Sequence, residues 1–288
     1  MPNAPEIHAL IRLLDDDDKE VFAQVHSRLK SYGIEIIPDL EKAWADESNL
    51  LAHKRLEEII HEIQFDDVLT QWKNWLYLDS PDLLTGAFLI ARYHYPEIQW
   101  EAIQKKIHKI KQSIWLELNY NQTPLEQIQI FNQVFYSYHN FKGIQSSADY
   151  QDFCINNILD AKKGTSIAIG VLYQVLAQEL NLPVYGVNLT RHFVLAFCKK
   201  NIFDFYGEQN LEREVMFYIN PVNRGSIFSR TEIKDYLTKL GIEPQTIFFT
   251  PADNKAIIAE MLNNLIEIYE QQNRYERLND LYKLLRLM

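Results

Sequence analysis

The chain has 288 residues, with 39 Asp+Glu against 29 Lys+Arg, a formal net charge of −10, 47% hydrophobic residues and 24% charged residues. These values exclude disorder, collagen and a coiled-coil rod as the dominant state, and the acidic balance argues against sequence-independent binding to nucleic acid. Only 9 glycines are present, less than half the usual share of ~7%, which moves the expectation toward helix.

Charge is uneven. Residues 1–80 hold 17 Asp+Glu and 8 Lys+Arg, and the other 208 hold 22 and 21. The first 80 residues therefore read as a separate compositional unit. Residues 5–64 show helix after helix, with Val21, Phe22, Val25 and Leu29 on one stripe and Leu56, Ile59, Ile60 and Ile63 on another. Ser31-Tyr32-Gly33 breaks the chain, and Pro38 suits the first turn of the next helix. Asp15 to Asp18 read as an interhelical loop with N-cap residues, because one acidic run lacks the turn geometry of a Ca²⁺ loop. Glu58 and His61 match half of a di-iron pattern, but no second Glu-x-x-His pair accompanies them. No metal or cofactor is expected.

Helical spacing continues over 66–140, with Leu83, Leu84, Ala87, Phe88 and Ala91 on one face and Ile103, Ile107, Ile110 and Ile114 on another. Lys105, Lys106, Lys109 and Lys111 around the second stripe read as a solvated face. Residues 144–153 are polar and read as loop. Residues 154–181 read as two helical parts broken near Lys163-Gly164-Thr165, the second apolar on most sides and so expected to be a buried central helix. Residues 184–199 read as strand, as do 201–206 and 215–219. The short connections imply antiparallel pairing. Residues 229–240 return to helix with Ser229 and Glu232 as a capping box, and 253–288 form a helical hairpin that turns near Asn273. The fold class is α+β, mostly α, with a small antiparallel sheet.

Cys154 and Cys198 are too few for a disulfide scaffold or a Cys-rich zinc site and read as two buried thiols, with a single disulfide as the alternative. No basic segment precedes an apolar core at the N-terminus, and no stretch of about 18 apolar residues exists. The expectation is a cytoplasmic protein with no signal peptide and no membrane partner, and Asn188-Leu189-Thr190 carries no weight as a glycosylation triplet.

One stretch is more specific. Residues 156–197, NNILDAKKGTSIAIGVLYQVLAQELNLPVYGVNLTRHFVLAF, followed by FYINPVNRG at 217–225, resemble the SirB-type branch of the transglutaminase-like superfamily. The segment LLTGAFLIARYHYPEIQ and the Phe-Lys-Gly at 141–143 fit the same branch. The helix pairs near the N-terminus resemble HEAT repeats, and the last 36 residues resemble one tetratricopeptide unit. The resemblances imply an acidic HEAT-like region over 1–80, a transglutaminase-like (papain-like) core over 81–250 and a C-terminal helical hairpin over 251–288.

Catalytic members of the superfamily use a Cys at the start of the central helix, a His on the next strand and an Asp or Asn on the one after. Carried over by motif, those positions are Ser166, His192 and Asn220. A Cys-His-Asn site is workable, but Ser166 stands where the thiol is expected, and a hydroxyl is far harder to ionise. The SirB-type branch itself generally lacks the Cys, often with Pro in its place. Cys154 lies outside the helix start, and Cys198 is six residues after His192, roughly 20 Å away along a shared strand. Neither replaces it.

Each position also has a plain structural role. Ser166 can cap or open a helix, His192 can be a core histidine, and Asn220 can serve the turn before Pro221. Arg191, Asn223 and Arg224 flank the corner as binders of an anionic or peptide ligand or as exposed loop residues. The favoured function is a non-catalytic binding, scaffold or regulatory module for a protein or peptide partner. The alternative is an amide- or peptide-bond hydrolase or acyltransferase using Ser166, His192 and Asn220. A third reading keeps His192 and Asn220 as a ligand-binding pair without chemistry.

Overall fold

The acidic run that opens the chain is spent on helix geometry. In the computed structural model, which describes residues 4–119, 121–144, 149–189, 192–199 and 211–288, the Asp18 carboxylate accepts from the Glu20 N–H and caps a helix. The described chain falls into two compact units, the first ending at Asn74 and the second running Trp75–Met288.

The first unit is built from α1 (Ala4–Arg12), α2 (Lys19–Ser31), α3 (Ile37–Asp46) and α4 (Leu50–Leu76), the last of which begins in it. Gly33, at φ +67°, takes the left-handed backbone that ends α2, and Pro38 lies in the first turn of α3. The stripes Val25/Leu29 and Leu56/Ile59/Ile63 meet Ile7, Ile11, Leu14, Ile36, Ile37 and Leu40 in one core. Arg55 donates to the carbonyls of Leu14 and Asp16 at 2.9 and 2.6 Å, which fixes the α1–α2 connection.

The second unit begins with α5 (Leu83–His94), α6 (Trp100–Glu117) and α7 (Pro124–Asn132), the last running into a π-helical turn, Gln133–Tyr138. Then come β1 (Lys142–Ile144), α8 (Ile155–Ala161), β2 (Lys163–Thr165) and α9 (Ser166–Glu179). The strands β3 (Val184–Leu189), β4 (His192–Cys198), β5 (Val215–Asn220) and β6 (Ser226–Phe228) form one antiparallel sheet in the order β3-β4-β5-β6. α10 (Arg230–Lys239), α11 (Asn254–Gln271) and α12 (Tyr275–Leu285) complete the unit. The architecture is α+β and mostly α.

α9 is the central helix. Every residue from Ile167 to Ala177 is buried, as its unbroken apolar character requires. Its one internal amide, Gln174, accepts from the Gly186 N–H at 2.8 Å and so ties the helix to β3. One sheet face carries Phe193, whose ring lies 2.4 Å from where a Cβ on Gly170 of α9 would stand. Residues of the other face, Val187, Leu189, Val194, Ala196 and Tyr218, pack with Ile233 and Leu237 of α10 and with Phe249.

Four sequence expectations change. Residues 184–199 form a two-strand hairpin, not one strand, because Thr190-Arg191 offers no Gly or Asn turn signal; those two residues lie outside the described ones. The loop expected over 144–153 begins with the end of β1 and contains a 3₁₀ turn at Tyr150–Phe153. The break at Lys163–Thr165 is β2, which pairs parallel with β1 in register Gly143 to Gly164. Both strands are three residues long and centred on glycine, a residue that weakens strand propensity. β6 likewise lacks a strand-length pattern. The strand expected at 201–206 lies outside the described residues. The capping box of Ser229 and Glu232 and the turn at Asn273 fall where the sequence places them.

Candidate functional site

The N-terminal end of α9 begins at a capped turn. Thr165 is the N-cap, its hydroxyl accepting from the Ala168 N–H at 3.4 Å. Ser166 is therefore the first helical residue, and capping does not occupy its hydroxyl. It lies four residues before Gly170 and so on the same helix face, the one that meets Phe193. That spacing aims Ser166 at the start of β4, where His192 stands.

The sheet supplies the other walls. β3 ends at Leu189 opposite His192, and β5 ends at Asn220. A cleft of about 370 Å³ opens at this end of the sheet. Ser166, His192, Asn220 and Asn223 line it together with an apolar floor that includes Val194, Phe228 and Ile233. Tyr236 of α10 meets the His192 ring edge to face at 5.5 Å between centroids, and Glu232 closes the rim while serving the Ser229 capping box.

Among the described residues no hydrogen bond joins Ser166 to His192 or His192 to Asn220. Register offsets the two residues along the strands. Leu195 pairs with Ile219, so Val194 falls across from Asn220 and His192 lies two residues further, about 6.6 Å of strand rise. The Asn220 side-chain amide oxygen, Oδ1, accepts instead from the backbone N–H groups of Val222 and Asn223, at 3.0 and 3.1 Å. This is the Asx turn that carries the chain from β5 to β6.

That turn is braced from α7 and the π-helical turn. Asn132 donates to the Gly225 carbonyl at 2.8 Å and accepts from the Tyr173 hydroxyl at 2.9 Å. Tyr136 donates to the Pro221 carbonyl at 3.1 Å. Arg224, itself at φ +49°, donates to Ser137 at 2.8 Å. A Cβ on Gly143 would stand 2.6 Å from the Val222 Cα, so β1 lies directly against the same turn. π-Helical turns concentrate at functional sites, and here one places two of the three bracing side chains.

Of the residues singled out in the sequence, the cleft gathers Ser166, His192, Asn220 and Asn223. Arg224 is turned to Ser137, and Arg191 lies outside the described residues. Cys154 and Cys198 are both buried and reduced. Burial pushes the Cys154 thiol well above its usual range and the Cys198 thiol up to about 12. Neither offers a thiolate at neutral pH. The sequence reading missed Phe193, Phe228, Tyr236 and the brace of Asn132, Tyr136 and Ser137. Phe193 had a visible signal: in a glycine-poor chain, Gly170 inside a helix and Gly186 inside a strand mark a close approach.

Comparison with known proteins places this geometry. The profile described as "Transglutaminase-like superfamily" matches residues 101–263, more than half of the chain. A UPF0162 protein of Vibrio cholerae is 24% identical over 68% of this chain and 70% of its own length. A UPF0162 protein of Xylella fastidiosa is 20% identical over 73% of each chain. F-box only protein 21 of Mus musculus is 24% identical over 80% of this chain, which spans only 39% of that protein's length. No solved structure matches. No helix among the described residues is long and apolar enough to cross a membrane.

Proposed function

The chain belongs to the transglutaminase-like superfamily, and from that membership we propose that it is a non-catalytic member, a binding or scaffold module whose cleft holds a protein or peptide partner without chemistry. The observation that carries this reading is the Asn220 side-chain oxygen, engaged by two backbone N–H groups. The third member of a Cys-His-Asn or Ser-His-Asp site must accept the imidazole N–H, which leaves the other ring nitrogen free to take the nucleophile's proton. With its oxygen filled, Asn220 has only an N–H₂ donor to offer. Were that donor to reach His192, it would favour the opposite tautomer, with the proton on the nitrogen that would have to act as base. The hydroxyl at Ser166 is in addition a weak nucleophile where a thiol is expected.

The finer assignments are part of the same proposal: the SirB-type branch, a HEAT-like region over 1–80, a core over 81–250, a tetratricopeptide-like hairpin over 251–288 and a cytoplasmic setting. Asn223, on the cleft rim, supports a binding role there. The opposing reading, an amide- or peptide-bond hydrolase or acyltransferase, draws its support from Ser166 and His192 lining one cleft. Exposure of the folded protein to a serine-reactive fluorophosphonate, followed by intact mass measurement, separates the two. No adduct on Ser166 is expected. A stoichiometric adduct that disappears in Ser166→Ala and in His192→Ala would establish the enzyme and end the binding-module reading.

A further inference from the structure

The first unit leaves an apolar corner uncovered. Trp44, near the end of α3, is 39% exposed, and Leu50 and Leu51, which open α4, are 87% and 36% exposed. The corner is ordered: the Trp44 ring meets His53 of α4 at a tilt of 36° with centroids 4.6 Å apart, and Asn49 caps α4 through the Leu51 and Ala52 N–H groups. None of the three belongs to the core of the unit. An exposed Trp beside two exposed leucines is the composition of an interface anchor, since Trp and its apolar neighbours dominate binding energy when a partner desolvates them.

The charge around the corner selects the partner. Glu41 lies one turn before Trp44 on α3, Glu47 follows the helix end, and Glu57 lies one turn after His53 on α4. Glu41 accepts from Gln64 and Glu47 from the Asn49 N–H, and among the described residues no ion pair engages either. Lys54, one turn after Leu50, and Lys42, next to Glu41, are the corner's own cations, against the carboxylates of Glu41, Asp46, Glu47 and Glu57. Three cations of the unit are engaged elsewhere: Arg28 with Glu6, Lys30 with Glu62 and Asp66, and Arg55 with the α1–α2 connection. Residues 1–74 carry 16 carboxylates against 8 cationic side chains. We infer that the Trp44–Leu50–Leu51 corner docks a basic amphipathic helix of a partner protein, its apolar face on Trp44 and its lysines or arginines toward Glu41, Glu47 and Glu57.

This inference rests on the binding-module reading, but labelling of Ser166 decides that reading without reference to the corner. The test is calorimetric titration of the full chain with a synthetic amphipathic helix that has leucines on one face and lysines flanking them. One-to-one binding is expected, weakened about tenfold by Trp44→Ala, as for an interface anchor. Weakening is also expected from Leu50→Ser and from the pair Glu47→Gln/Glu57→Gln. Because these side chains lie outside the core, their variants should melt with the parent, which separates lost docking from lost fold. The control pair Asp66→Asn/Asp67→Asn, about 24 Å further along α4 than Leu50, removes the same charge away from the corner and should leave the affinity within about twofold. Equal weakening by the control would reduce the effect to bulk charge and overturn the inference. So would an affinity indifferent to Trp44→Ala. Trp44-dependent self-association of the chain without peptide would instead assign the corner to a second copy and also overturn it.

Discussion

Gly170→Ala is expected to destabilise the protein by about 2 kcal/mol, although alanine is the better helix former by ~1 kcal/mol. The new Cβ would stand 2.4 and 2.5 Å from two atoms of the Phe193 ring, and real Cβ contacts do not come that close. The ring cannot retreat, because a Cβ position on Gly186 of β3 is only 2.4 Å from its far edge, with Ile257 beside it. Overpacking of a closed site of this kind costs typically 1–3 kcal/mol net. The ring is the obstacle, so the two positions should couple. In a Phe193→Leu background, Gly170→Ala should cost less than half as much by urea denaturation, whereas additive costs would show that the wedge is not what excludes a side chain. Phe193 follows His192 on β4, so the same wedge sets the cleft wall.

The second large effect is acid-dependent. His94, the last residue of α5, is enclosed between Tyr150 and Tyr269, with ring centroids at 4.5 and 6.0 Å. Its Nδ1 meets the Tyr269 hydroxyl at 3.3 Å, and its Nε2 is buried without a partner. Burial, reinforced by the positive charge of Arg277, pulls its pKa from 6.5 down to about 3. The unfolded chain therefore takes up a proton near pH 6.5 that the folded chain refuses until about pH 3. Stability from this group is complete above pH 6.5 and is lost as pH falls through that window. At about 1.4 kcal/mol per pH unit, the loss reaches roughly 3 kcal/mol by pH 4. His94→Phe keeps the stack and removes the proton. Its denaturation midpoint should fall less between pH 7.5 and pH 4 than the parent's, and parallel curves would show that His94 is not the acid-sensitive group.

Much of the fold is legible in the sequence where a single strong period or a named cap governs it. The Val25/Leu29 and Leu56/Ile59/Ile63 stripes, the α9 helix apolar on most sides and the Ser229–Glu232 box each depend on residues within a few positions. What is hidden depends on partners far away in the chain. β1 and β2 are three-residue strands around glycines that exist only because each supplies the other's ladder. The hairpin between β3 and β4 has no turn residues to announce it. The candidate site divides the same way. The positions Ser166, His192 and Asn220 are readable from motif order, and they do share a cleft. That no hydrogen bond joins them among the described residues is not readable, because it turns on a two-residue offset between His192 and the position across from Asn220 and on an Asn220 side-chain oxygen engaged in its own turn. Neither the brace from Asn132, Tyr136 and Ser137 nor the π-helical turn behind it leaves a local signature.

The most direct test of an uncoupled site restores the missing thiol. In Ser166→Cys, the alkylation rate by iodoacetamide is followed against pH, with and without His192→Ala. A thiol at a helix N-terminus reacts through its thiolate whatever its neighbour, but only a working pair makes that thiolate depend on the imidazole. The same rate midpoint with and without His192 is expected. A midpoint that rises by more than about one pH unit when His192 is removed, as loss of an imidazolium partner would produce, would show a working pair and contradict a non-catalytic site.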